Sequence, residues 1–139
     1  MYYDENGKPH LKDGKHIAIT HSFTFSGVIV SDNEVGIDIE MQREKIAKIA
    51  KKFVEYECEY LDTEAEDYIN KLNVIWGIKE YLYKLFATPG MLIREHFVVI
   101  QFSMKDEENV CWIDYNGLKT RYNSHFLAFE DFTCAYVIE

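Results

Sequence analysis

The sequence predicts an α+β domain in which strands open the chain, helices fill the middle and a mainly antiparallel sheet closes it. Three observations carry this expectation. Val35 to Glu40 alternates with period two, an apolar-periodic segment runs from about Thr63 to Phe86, and Asn116-Gly117 gives a hairpin signal between two strand-like runs.

Taken in order, the opening dozen residues are polar, with Gly7-Lys8-Pro9 as a turn signal. Ile17 and Ile19 alternate with Ala18 and Thr20, and Val28-Ile29-Val30 follows Gly27, which predicts two short strands. Asp32-Asn33 then turns the chain into a third strand, Val35 to Glu40. A helical segment is expected around residues 42–53, with Ile46, Ile49 and Phe53 as its apolar stripe. The longer helix is expected to start at Thr63, with Glu66 completing a capping box. Ile69, Leu72, Trp76, Leu82 and Phe86 supply its apolar side, and Pro89-Gly90 ends it. Phe97 to Phe102 and Val110 to Tyr115 read as strands about a turn at Asp106-Glu107-Glu108-Asn109. Phe126 to Phe129 and Thr133 to Ile138 complete the sheet. With no repeat, low-complexity tract or linker, residues 1–139 read as one domain.

Composition narrows the function. Hydrophobic residues at 47% and aromatics at 15% exclude a disordered segment. No apolar run approaches the roughly 18 residues that a membrane span needs. The start, Met1-Tyr2-Tyr3-Asp4-Glu5, lacks the basic and apolar stretches of a secretory signal. Cys58, Cys111 and Cys134 are odd in number and widely spaced, with no CxxC pair. They read as free thiols in a reducing cytoplasm, neither disulfides nor a zinc site. A net charge of -9 argues against nonspecific nucleic-acid binding. Yet Arg43, Lys45, Lys48, Lys51 and Lys52 fall within ten residues. They form either a solvated helix surface or a docking face for an acidic partner.

Four elements carry chemistry. In Val35-Gly36-Ile37-Asp38-Ile39-Glu40, alternation puts the apolar residues on one face and Asp38 and Glu40 on the other. Two carboxylates on one strand face make half of a hard-cation site of the kind Mg²⁺ takes. The same pattern fits an edge strand that is merely acidic outside. In Trp76-Gly77-Ile78-Lys79-Glu80-Tyr81-Leu82-Tyr83-Lys84, helical spacing aligns Trp76, Glu80 and Lys84 on one side. That is either an ordinary amphipathic helix or a partly shielded acid–base pair. Ala18-Ile19-Thr20-His21-Ser22 ends a strand with a histidine that is structural, exposed or a phosphate donor. In Gly7-Lys8-Pro9-His10, a Pro-stiffened turn is placed to aim Lys8 at a phosphate, a common feature and weak by itself.

In this order and spacing, G-K-P, [ST]-H-S, G-I-D-I-E and W-x-x-K-E-x-x-x-K resemble the 4′-phosphopantetheinyl transferase superfamily. The match is closer to the surfactin-synthetase-activating type than to the short holo-acyl-carrier-protein synthases, and it runs from about Lys8 to Lys84. The resemblance implies a phosphopantetheinyl-transferase-like fold, one half of the two-half type plus a leading strand region. It implies Mg²⁺-dependent transfer of 4′-phosphopantetheine from coenzyme A to a serine of an apo carrier protein, acyl or peptidyl, with release of 3′,5′-ADP. Residue by residue, Asp38, Glu40 and Glu80 match the metal ligands. Glu80 and Lys84 match the catalytic base and the lysine at the leaving phosphate. Lys8, Pro9, Thr20, His21 and Lys79, with Lys84, match positions around coenzyme A.

The chain departs from that type mainly in length, since 35 residues precede Gly36 and most of a first half has no counterpart. Single-half relatives complete their sites by assembling trimers, so a homo-oligomer is expected here. The alternatives are a degenerate relative that binds coenzyme A or a carrier without catalysis, and an unrelated Mg²⁺-dependent phosphohydrolase. Smaller departures are Thr20, where the family more often has Ser, and Val54, where a second aromatic is common.

Overall fold

The computed structural model describes residues 1–7, 9–22, 25–33, 35–86, 90–129 and 131–138. The short strands β1 (Tyr2–Tyr3) and β2 (Pro9–His10) pair with each other. Next come β3 (His16–Ser22) and β4 (Phe25–Ser31), a hairpin with its own two-stranded sheet. Strand β5 (Val35–Met41) leads to α1 (Lys45–Ile49), followed by short 3₁₀ turns and the long helix α2 (Tyr68–Phe86). The chain closes with β6 (Phe97–Val99), β7 (Glu108–Tyr115), β8 (Leu118–Phe129) and β9 (Phe132–Ile138). The last four strands and β5 form one sheet in the order β5-β9-β8-β7-β6. Every described pairing is antiparallel. This is the α+β arrangement the sequence predicts. No helix among the described residues is long and apolar enough to cross a membrane.

Helix α2 packs against β5, β6, β8 and β9. Leu72, Val74, Ile75, Ile78 and Leu82 are fully buried there with Phe53, Phe97, Val99 and Cys111, and Phe126 lies at 1% exposure. The opposite face of β5 is covered by the β3–β4 hairpin, where a side chain on Gly27 would meet Ile39 at 3.0 Å and Ile37 at 3.2 Å. Strand β5 is therefore covered on both faces.

Several boundaries differ from the expectation. The long helix starts at Tyr68, not Thr63, because Asp62 directs the chain into turns. Its carboxylate accepts from the Glu64 N–H at 2.9 Å, and its carbonyl accepts from the Ala65 N–H at 3.1 Å, a local alternative to helix capping. Pro89, the expected helix stop, lies outside the described residues. The segment 42–53 forms only one short α-helix before tightening into a 3₁₀ turn. Ile46 and Phe53 are buried as expected, but Ile49 remains 40% exposed. Strand β6 stops at Val99, although the Ile100 N–H still bonds the Val110 carbonyl at 3.0 Å. The turn after it centres on Ser103–Asp106, so β7 starts earlier than expected, at Glu108. Asn116 and Gly117, at φ 54° and 79°, make the predicted hairpin between Tyr115 and Leu118.

Candidate functional site

Alternation along β5 sends Gly36, Asp38 and Glu40 toward α2 and Ile37 and Ile39 toward the hairpin. Two glycines allow the helix and strand to approach. A methyl on Gly36 would overlap the Tyr81 ring, which packs directly on the strand there. A methyl on Gly77 would stand 3.3 Å from Ala135 Cβ and 3.4 Å from Asp38 Oδ2, so α2 packs closely on β5 and β9 at this point. This close approach brings Glu80, on the helix, to the two carboxylates of the strand. One oxygen from each of Asp38, Glu40 and Glu80 lies within 4.8 Å of the others, and all three side chains are half-buried.

Three acids so placed repel one another. Asp38 is pushed up to about 7, first by burial and then by the charges of Glu40 and Glu80, with a hydrogen bond to Glu40 adding to the effect. Lys84 opposes the shift. The Cys134 thiol, on β9 opposite Ile39, is pushed up to about 11 by burial and then by the Asp38 charge. Such crowding of hard oxygens, three carboxylates against the one ammonium of Lys84, fits a divalent cation such as Mg²⁺.

The rest of the α2 motif surrounds this cluster. Lys84 Nζ lies 2.9 Å from Glu80 Oε1, with the lysine side chain largely exposed. A small cavity of about 130 Å³ beside Asp38 is lined by Ala18, Gly36, Gly77, Glu80, Tyr81 and Lys84. Trp76 stands edge-on to Phe53 at 5.2 Å and faces the far side of the cluster. There a groove of about 540 Å³ runs past Glu40, Arg43, Lys45, Lys48, Ile49 and Trp76. The basic segment and the exposed Ile49 thus border the carboxylates.

The remaining candidates sit at graded distance. Thr20 accepts the Ile39 N–H on its hydroxyl at 3.3 Å, bracing the edge of β5 between Asp38 and Glu40. His21 follows on the other face of β3, exposed and opposite Ser26. Pro9 is in β2, half-buried and opposite Tyr3. Lys8 lies outside the described residues.

Lys79 requires a correction: it is not beside the carboxylates and not open to a ligand. Its side chain is wholly buried, and its ammonium donates to Glu57 Oε1 at 2.8 Å, the Phe53 carbonyl at 2.7 Å and the Arg94 carbonyl at 3.3 Å. The helical repeat explains this, since Leu72, Ile75, Lys79 and Leu82 share the core-facing stripe while Trp76, Glu80 and Lys84 share another. That phase was visible in the spacing. Glu57, which the sequence reading missed, is fully buried at the other end of the pair. It sits among Glu55 and Glu59, where the pattern signals only a solvated acidic stretch. Tyr81 was likewise missed as a wall of the site, although the Gly36 it packs on was part of the motif.

Comparison with known proteins identifies the family. The family model of the 4′-phosphopantetheinyl transferase superfamily matches residues 34–137. The chain is also similar to the 4′-phosphopantetheinyl transferase gsp of Aneurinibacillus migulanus, 32% identical over 119 residues. That match covers 84% of this chain and 44% of the relative, so the chain spans less than half of the relative's length.

Proposed function

Since the chain belongs to the 4′-phosphopantetheinyl transferase superfamily, we propose that it transfers 4′-phosphopantetheine from coenzyme A to a serine of an apo carrier protein. The observation that carries this reading is the meeting of Asp38, Glu40 and Glu80 across the β5–α2 contact, with Lys84 alongside. In this reading the unit is a single domain over residues 1–139, corresponding to one half of the two-half type.

The three carboxylates would hold Mg²⁺, which when bound supplies Lewis-acid polarisation of a phosphoryl oxygen. Glu80 accepts the proton of the attacking serine hydroxyl. The serine oxygen forms the new bond to phosphorus, and the bond to the bridging oxygen breaks, leaving that oxygen on 3′,5′-ADP. Lys84 then places its ammonium at the leaving phosphate. It is already 2.9 Å from Glu80 and free to swing on an exposed stem. Such a reaction relies mostly on positioning and charge neutralisation. Thr20, His21, Pro9 and Lys8 take the nucleotide side of coenzyme A, and Thr20 also holds β5 in place through its bond to Ile39.

The carrier's place is the groove beside Glu40. Its lining joins Arg43, Lys45 and Lys48 to the apolar surfaces of Ile49 and Trp76, which suits an acidic partner with an apolar contact point. Self-association belongs to the same reading. Ile19, Val28 and Val30 stand exposed on the outer face of the β3–β4 hairpin, an apolar patch of the kind that marks interfaces. Light scattering on the purified chain tests this, and a monomer at working concentration would refute it.

The deciding experiment incubates the protein with coenzyme A, Mg²⁺ and an apo carrier, and weighs the carrier by mass spectrometry. A gain of one phosphopantetheine, abolished in Asp38→Ala and Glu80→Ala, is expected. An unmodified carrier in every condition would sink the reading.

A further inference from the structure

We propose that Lys79 and Glu57 form a buried positioning pair that fixes α2 in the rotation at which Glu80 meets Asp38 and Glu40. This rests on the reading of those three carboxylates as a divalent-cation site.

The pair joins four separate stretches of chain. Lys79 reaches the carbonyls of Phe53 and Arg94 as well as Glu57. Glu57 Oε2 accepts the Val99 N–H of β6 at 2.9 Å, and Oε1 also accepts the Glu55 N–H at 3.3 Å. Arg94 returns a bond from its Nε to the Val54 carbonyl at 3.2 Å. Both charged side chains are fully buried, and each has directional partners.

Among the described residues of α2 that are wholly buried, those besides Lys79 are apolar. Leu72, Ile75, Ile78 and Leu82 fix its distance from the sheet, but burial of apolar surface is not directional. Hydrogen bonds are directional, and three meet at one ammonium, two to backbone carbonyls and one to the Glu57 carboxylate, itself held by backbone N–H groups. Residues adjacent on a helix point about 100° apart, so fixing Lys79 fixes the direction of Glu80. A slip of one position would turn Glu80 out of the cluster. An ion pair taken out of water adds little stability over well-packed apolar residues, so specifying one geometry is the contribution left to it.

The test is Mn²⁺ binding, read by electron paramagnetic resonance on the full chain, beside a denaturant unfolding curve for each variant. The double variant Lys79→Met/Glu57→Leu removes both charges at similar volume, and Glu57→Asp keeps the charge but shortens its reach. We expect both to unfold cooperatively and to bind Mn²⁺ about tenfold or more weakly than wild type, the scale seen when supporting groups around metal ligands are lost. A pair that served stability alone would shift the unfolding curve and leave Mn²⁺ affinity of the folded protein unchanged, and that result overturns the proposal. Should the double variant fail to fold, Glu57→Asp decides alone. If wild type takes up no Mn²⁺, and Glu80→Gln therefore changes nothing, the cation reading falls and the proposal with it. If wild type binds and the pair variants match it, only the proposal falls.

Discussion

Helix α2 carries two lysine–glutamate pairs through neighbouring residues, Lys79 with Glu57 and Lys84 with Glu80. Their lengths are nearly equal, 2.8 Å and 2.9 Å. Their surroundings are opposite. Both partners of the first are 0% exposed, whereas Lys84 is 72% and Glu80 29% exposed. Distance alone therefore says little about what an ion pair does. In the dry pair, burial lowers the Lys79 pKa while Glu57 raises it, and every bond made by the ammonium is to a fixed group. In the wet pair the lysine already stands largely in solvent, and water screens its charge. The first suits architecture, the second chemistry.

The contrast is tested most severely at its acidic partner on the wet side. Glu80→Gln should reduce carrier modification on the order of 10³-fold, since losing the stabilisation a bound cation supplies removes several kcal/mol. Mass gain of the carrier over time measures this. On the dry side, Lys79→Met strands the Glu57 charge and should cost about 3–5 kcal/mol of stability by chemical denaturation. Lys84→Met should do the reverse. Transfer should slow about 100-fold while stability changes by less than about 0.5 kcal/mol, so the two lysines dissociate the two measurements. If Lys84→Met proved the more destabilising, the comparison would be backwards. The charge reversal Lys48→Glu with Lys52→Glu should slow association with an acidic carrier roughly tenfold at low salt and leave the turnover of bound carrier alone.

The mildest effect is expected from pH. In metal-free protein Asp38 is raised from 3.8 to about 7 by burial and its acidic neighbours. Below 3.8 the proton is held by folded and unfolded chains alike. Between 3.8 and about 7 the unfolded chain releases a proton that the fold retains, and the advantage of that retained proton declines with rising pH. Thermal unfolding without divalent ions should therefore show stability falling through this window, and added Mg²⁺ should restore it above pH 7. An unchanged midpoint across the window would show that the three acids do not crowd one another.

Much of this site could be read from periodicity. Asp38 and Glu40 share a face because strands alternate, and Glu80 and Lys84 share a side because they are one turn apart. What joins the two elements could not be read, because the contact between β5 and α2 depends on Tyr81 packing onto Gly36. The cover over β5 was equally hidden, since the β3–β4 strands were visible but their membership of a separate sheet is a tertiary outcome. Helix α2 began later than Thr63 because the Asp62 carboxylate turned the chain through a local bond that competes with capping. Glu57 was invisible because its partner lies 22 residues away and its neighbours are solvated acids. Lys79, by contrast, was misassigned in spite of a helical phase that placed it with Leu72, Ile75 and Leu82 on the core side.

The contact between Gly36 and Tyr81 also constrains how this sequence can drift. Because one added carbon at position 36 would enter the ring at position 81, the two sites cannot vary independently. An alanine at 36 requires a small residue at 81, and homologues with a larger residue in the strand should carry a compensating loss of bulk on the helix. Covariation between these positions would be the evolutionary trace of how tightly helix and strand are joined.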